Sequence, residues 1–206
     1  PTEYGTLYTL EELTELSNVC HENHIPLYMD GARLAYALAC SENQLTLADI
    51  ARLCDIFYIG GTKVGALFGE AVVIRNEELK KDFRYNIKQR GGMLAKGRLL
   101  GIQFLTLFEE NRYFDISAHA ARLAEKLKDE LIKMGVKFYI NSPTNQQFPI
   151  LPDAVLAELK KKYSFAYQER MDETHSAVRF CTCWATKEEN VDMLLADIQK
   201  LLKADD

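Results

Sequence analysis

Two side chains in the first third of the chain have the types and spacing for chemistry. Asp30 ends the apolar run 25–29 in Leu27-Tyr28-Met29-Asp30-Gly31-Ala32-Arg33. Lys63 follows the next apolar run, in Tyr58-Ile59-Gly60-Gly61-Thr62-Lys63-Val64-Gly65. A carboxylate closing an apolar strand is costly to bury unless a cation meets it. Taken alone, Asp30 fits an internal pair with Arg33 or a helix N-cap. A lysine set between apolar strands and flanked by glycines is expected to be withdrawn from water, which favours a neutral, nucleophilic amine of the kind Schiff-base chemistry requires. Taken alone, Lys63 fits a solvated turn equally well.

The surrounding pattern says what must position them. Thr9-Leu10-Glu11-Glu12 is a capping box, and Leu10, Leu13, Leu16, Val19 and Cys20 follow at helical spacing, predicting a helix over 10–23. A strand is expected over 25–29, helices from Ala32 and over 47–53, and strands over 55–59 and 71–74. Short apolar strands alternating with helices predict an α/β fold with a three-layer, mostly parallel sheet. In such sheets ligands sit at the strand ends, where Asp30 and Lys63 both fall. The stretch 76–108 reads as helical, interrupted at Gly91-Gly92. A long amphipathic helix over 113–134 ends at Gly135. Strands are expected over 136–140, 147–151 and 177–183, with helices over 153–162 and 187–203, the last opened by a second capping box, Thr186-x-x-Glu189. This gives residues 1–112 to a larger domain and 113–206 to a smaller α+β domain.

Composition narrows the function classes. A net charge of -5 argues against a nucleic-acid binder, which would show a basic face. No apolar run approaches the roughly 18 residues of a membrane span. No signal peptide is read, and the start at Pro1 rather than Met is taken as a truncation, a cleavage or a missing upstream segment. Five cysteines, Cys20, Cys40, Cys54, Cys181 and Cys183, form no paired framework and suit a reducing cytoplasm. Cys181-x-Cys183 is better explained by alternation along a strand than by metal binding, so no metal site is expected. His21 and His24 lie at the polar end of a helix and read as solvated.

The pair Asp30 and Lys63 is more telling than either residue. An aspartate ending one strand and a lysine after the next is the arrangement pyridoxal phosphate needs. The carboxylate keeps the pyridine nitrogen protonated, so the ring accepts electrons, and the lysine holds the aldehyde carbon. D-G-A-R followed by a strand, a small residue and a lysine resembles the threonine aldolases and β-eliminating lyases among the fold-type I pyridoxal enzymes. The resemblance runs from Tyr4-Gly5-Thr6 through Gly91-Gly92-Met93 to Arg179-Phe180-Cys181-Thr182, so the chain looks like the C-terminal portion of such an enzyme.

The resemblance implies roles. Asp30 would pair with the pyridine nitrogen, Lys63 would form the Schiff base, and Thr62 would touch the cofactor beside it. Arg33 and Arg179 would hold the substrate carboxylate, with Arg33 also near the cofactor. Where the family commonly has G-G-G-M-R, this chain reads Arg90-Gly91-Gly92-Met93-Leu94-Ala95-Lys96, so Leu94 stands in place of a phosphate-binding arginine. Arg90 or Lys96 supplies that charge, or both lie on a helix surface. A ring-stacking histidine and most of the phosphate loop would belong to the earlier half of the family's sequence. The implied reaction cleaves a β-hydroxy amino acid of the L-threonine or L-allo-threonine type into glycine and an aldehyde. The alternatives are a tryptophanase-like or tyrosine phenol-lyase-like β-elimination, or a fragment without activity. The implied setting is a cytoplasmic homodimer or homotetramer acting on a small amino acid.

Overall fold

Thr9 caps the first helix as its sequence predicts: its hydroxyl accepts the Glu12 N–H at 3.1 Å, and the Glu12 carboxylate accepts the Thr9 N–H at 2.8 Å. The computed structural model describes residues 2–205. In chain order these form α1 (Leu10–Glu22), β1 (Tyr28–Met29), α2 (Leu34–Ala39), α3 (Leu47–Leu53), β2 (Ile56–Ile59), β3 (Ala71–Ile74), α4 (Phe83–Gln89) and α5 (Arg98–Phe108). Then follow α6 (Arg112–Lys133), β4 (Phe138–Ile140), β5 (Gln146–Pro152), α7 (Asp153–Leu159), β6 (Ala166–Arg170), β7 (His175–Cys181) and α8 (Glu188–Asp205).

β1 is shorter than the apolar run suggested. The N–H of Ile25 turns back to Cys20 O at 2.8 Å, Pro26 has no N–H to give, and the N–H of Leu27 goes to Asp55 Oδ2. Only Tyr28 and Met29 remain to pair with Ile56 and Phe57, in parallel. β3 pairs antiparallel with β2, from Ile56↔Ile74 to Ile59↔Ala71. The parallel order expected from alternation stops there because the link over 60–70 holds no helix long enough to return the chain to the same end of the sheet.

β4, β5, β7 and β6 make a second, antiparallel sheet in that order. β6 escaped the sequence reading because it is a polar edge strand, Ala-Tyr-Gln-Glu-Arg, without an apolar stripe. The expected helix over 153–162 ends at Leu159, leaving room for the turn into β6. The hydroxyl of Thr186 accepts the Cys183 N–H at 2.9 Å, so it faces back along the chain, and Glu189 lies 3.5 Å from Lys187.

Apolar side chains gather in three clusters. Leu13, Leu34, Ile50, Leu53 and Phe57 join α1, α2 and α3 to β2. Ala35, Tyr36, Val64, Leu107, Tyr113 and Ala120 pack α2, α5 and the start of α6 around the loop that follows β2. Leu123, Leu127 and Leu131 carry the rest of α6 into a core with Leu151, Leu159, Val178 and Ile198. Helix α6 therefore belongs to both halves of the molecule.

Candidate active site

Asp30 and Lys63 converge because β1 and β2 run parallel and end side by side. The ends touch backbone to backbone: Gly60 N–H donates to Gly31 O at 3.0 Å. A Cβ on Gly31 would stand 1.6 Å from Tyr58 O, and one on Gly60 would stand 2.4 Å from Ala32 O. Glycine at both positions thus sets the spacing of the Asp30 and Lys63 side chains.

The loop after β2 is pinned at several carbonyls and amides. Glu70 accepts the Gly61 N–H and, at 3.0 Å, the Thr62 hydroxyl. The phenol of Tyr36 donates to the Lys63 carbonyl, and that of Tyr113 donates to Gly60 O at 2.9 Å. Both phenols are buried, and burial pushes them above the ordinary tyrosine range, so they stay donors throughout neutral pH. Gly65, with φ of 99°, lets the chain leave this turn.

Asp30 Oδ1 accepts three hydrogen bonds: from the Tyr58 phenol at 2.5 Å, the Ala32 N–H at 3.0 Å and the Thr2 hydroxyl at 3.1 Å. Burial alone would raise this carboxyl. The bonds from Tyr58, Ala32 and Thr2, together with the charge of Lys63, outweigh it and hold the group below the usual aspartate range. Among the described residues nothing donates to Oδ2. Both Asp30 and Lys63 are exposed in this chain, so of the two readings open for Lys63 the solvated one holds here. The Asp30–Arg33 pair, one of the two readings open for Asp30 taken alone, is not formed among the described residues. Instead the Arg33 guanidinium donates to the Thr2 carbonyl.

Arg179 is no edge residue, since β7 lies between β5 and β6. Its NH1 group donates to Gln146 Oε1 at 3.3 Å, while its Nε is buried without a partner among the described residues. Gln146 Nε2 in turn reaches the Thr2 carbonyl at 3.4 Å. Thr2 and Gln146 therefore tie Asp30, Arg33 and Arg179 into one cluster. Neither Thr2 nor Gln146 carries a motif that singles it out, and Thr2 lies 28 residues from Asp30. Tyr58 could have been found, because alternation along β2 sets it two residues before Gly60. Thr62 is committed to Glu70. Arg90, Leu94 and Lys96 lie exposed on the segment between α4 and α5, and no hydrogen bond or ion pair joins them to the cluster among the described residues. Nor do the described residues hold a group of three His, Cys, Asp or Glu able to bind a metal ion.

Residues 2–154 match the family described as beta-eliminating lyase. The low specificity L-threonine aldolase of Pseudomonas sp. (strain NCIMB 10558) is 33% identical over 212 residues, covering 98% of this chain and 58% of that protein. The corresponding Pseudomonas aeruginosa protein is 31% identical over the same shares. The solved structure of Leishmania major threonine aldolase superposes with a TM-score of 0.94 at 45% identity, over 97% of this chain and 58% of that one. A Thermus thermophilus aspartate aminotransferase mutant, at 17% identity and a TM-score of 0.66, shares the fold over 98% of this chain. The chain thus spans 58% of the length of the curated aldolases it matches most extensively. Its fold is the α/β fold of these proteins, and the chain belongs to the beta-eliminating lyase family.

Proposed function

We propose that this chain is the C-terminal portion of a pyridoxal-phosphate-dependent lyase that cleaves β-hydroxy amino acids of the L-threonine or L-allo-threonine type into glycine and an aldehyde. The observation that carries this reading is the convergence of Asp30 and Lys63 at the ends of two parallel strands, with two arginines tied to Asp30 through Thr2. The residues fit the cofactor. Asp30 has one oxygen fully engaged and the other without a donor among the described residues, ready for a pyridinium N–H. The Lys63 amine has no hydrogen bond or ion pair among the described residues. The buried Nε of Arg179 is a spare donor for an anion.

When bound, pyridoxal phosphate supplies an electron sink that stabilises negative charge at an amino acid's Cα. Asp30, held ionised, would keep a proton on the ring nitrogen. Lys63 would hold the aldehyde carbon, next to Thr62, and Lys96 would supply positive charge for the phosphate. Arg33 and Arg179 grip the substrate carboxylate as planar forks and so fix which bond at Cα stands free to break. The names of the aldolase relatives support carbon–carbon cleavage. The family description keeps β-elimination as a second reading, which would give pyruvate and ammonia in place of glycine.

The domain division at 112/113 remains part of this reading, as do a homodimeric or homotetrameric state and a cytoplasmic setting. Supporting a partner surface, α5 exposes Leu99, Ile102 and Leu105 at helical spacing. The five cysteines are unpaired, and no helix among the described residues is long and apolar enough to cross a membrane. The test is a visible absorbance band in the full-length protein loaded with cofactor, trapped by borohydride in the parent and not in Lys63→Ala. A band indifferent to Lys63 overturns the reading.

A further inference from the structure

Thr2 forms hydrogen bonds in two directions at once. Its hydroxyl donates to Asp30 Oδ1 at 3.1 Å, on the side proposed for the cofactor nitrogen. Its carbonyl accepts from the Arg33 guanidinium and, at 3.4 Å, from Gln146 Nε2, on the side proposed for the substrate carboxylate. Gln146 is fully buried and accepts from Arg179 at 3.3 Å. The segment around Thr2 is held in place from the other sheet as well, because Ser142 Oγ donates to Gly5 O at 3.2 Å and a Cβ on Gly5 would stand 2.2 Å from Ser142 Oγ. A single residue, fixed at its flank, thus contacts the acid, one arginine directly and the other through a buried amide.

We propose that Thr2 is a positioning residue that couples the acid to the two arginines: its hydroxyl sets the Asp30 carboxylate while its carbonyl orders Arg33 and, through Gln146, Arg179. This rests on the cofactor reading above. The physical reason is preorganisation. The Oδ1 bond fixes where the Thr2 peptide stands, and the carbonyl of that peptide holds the Arg33 guanidinium and the Gln146 amide, so losing the hydroxyl loosens both arginines before a carboxylate arrives. The groups facing Asp30 are Tyr58, Tyr28, Lys63 and the Ala32 N–H, and these stay in place when Thr2 changes. Loss of the Thr2 hydroxyl therefore removes one of several holds and does not empty the site.

The experiment uses the full-length protein in three forms: parent, Thr2→Val, which keeps the shape and loses the hydroxyl, and Thr2→Ser, which keeps the hydroxyl. In the cofactor-free proteins, carboxyl carbon NMR, with Asp30→Asn for assignment, follows Asp30 against pH. In the cofactor-loaded proteins, glycine binding is followed by absorbance. Thr2→Val is expected to titrate Asp30 at higher pH and to bind glycine roughly tenfold more weakly, with Thr2→Ser close to the parent in both. An unchanged Asp30 titration overturns the positioning role. A shifted titration with unchanged glycine affinity overturns the coupling. Failure of the cofactor reading shows separately, as a parent that borohydride does not trap at Lys63, and leaves the cofactor-free titration as the readout of the Thr2 contact.

Discussion

The Tyr58 phenol donates to Asp30 Oδ1 at 2.5 Å across the ends of two parallel strands. Burial, then the bond to Asp30 and its charge, raise this phenol above the ordinary tyrosine range, so it remains a donor at any neutral pH. A hydrogen bond to an ionised group is worth about 1.5–3 kcal/mol, less at an exposed site such as this. Tyr58→Phe is therefore expected to weaken pyridoxal phosphate binding by roughly fivefold, about 1 kcal/mol, and to move the Asp30 titration upward. A cofactor titration followed by absorbance checks the first effect. Unchanged affinity would show that the contact is dispensable.

Replacing either glycine at the strand ends should cost far more. Gly31→Ala places a methyl 1.6 Å from Tyr58 O, and Gly60→Ala places one 2.4 Å from Ala32 O. Both neighbours are backbone, so strands rather than side chains must move. The expected loss is about 3 kcal/mol or more, beyond a usual overpacked core position. Denaturant unfolding of each variant measures it, and a variant as stable as the parent would refute the close approach.

Arg179→Lys tests the substrate side. Lysine keeps the charge but loses the planar fork that grips a carboxylate at two points. A rise in KM is expected with a smaller change in kcat, and kcat/KM should fall roughly tenfold to a hundredfold, about 1.5–3 kcal/mol. Steady-state kinetics on a β-hydroxy amino acid separates the two constants, and an unaltered KM would remove Arg179 from carboxylate binding.

Asp55 gives a pH dependence that is independent of any ligand. Burial pushes its carboxyl up, but the Leu27 N–H at 2.8 Å, Asn76 at 3.0 Å and His21 at 3.2 Å together hold it below the ordinary range. A lowered folded value contributes stability that is complete above the unfolded aspartate range, near about 4, and is lost as pH falls through the folded value. Unfolding free energy should accordingly drop between about pH 5 and pH 3, and Asp55→Asn should flatten that drop while costing about 2 kcal/mol at neutral pH. Urea titrations across this window decide it.

Much of the fold was legible because it is written in local signals. The capping box at Thr9 and the amphipathic pattern ending at Gly135 placed α1 and α6 to within a residue or two at each end. The antiparallel turn into β3 and the polar edge strand β6 were not legible, since one depends on what a link lacks and the other on partners distant in sequence. Asp30 and Lys63 stood out because a charge on an apolar strand or beside glycines is anomalous, whereas Arg179 was singled out only by the family resemblance. Thr2 and Gln146 are ordinary polar residues, and only their contacts across 144 positions of chain give them meaning. Whether Lys63 is covered stayed open in the sequence, because flanking glycines report on the backbone and not on what covers the side chain.

Helix α6 has its first turn in one core and its last turns in the other. At 22 residues it is a rod of about 33 Å. Near its start the Tyr113 phenol holds the Gly60 carbonyl, three residues before Lys63. The far end is locked by Leu127 and Leu131 against the four-stranded sheet. A stiff lever mounted this way carries any rocking of the second sheet to the turn that presents Lys63, so the alignment of that amine is geared to the posture of the second sheet.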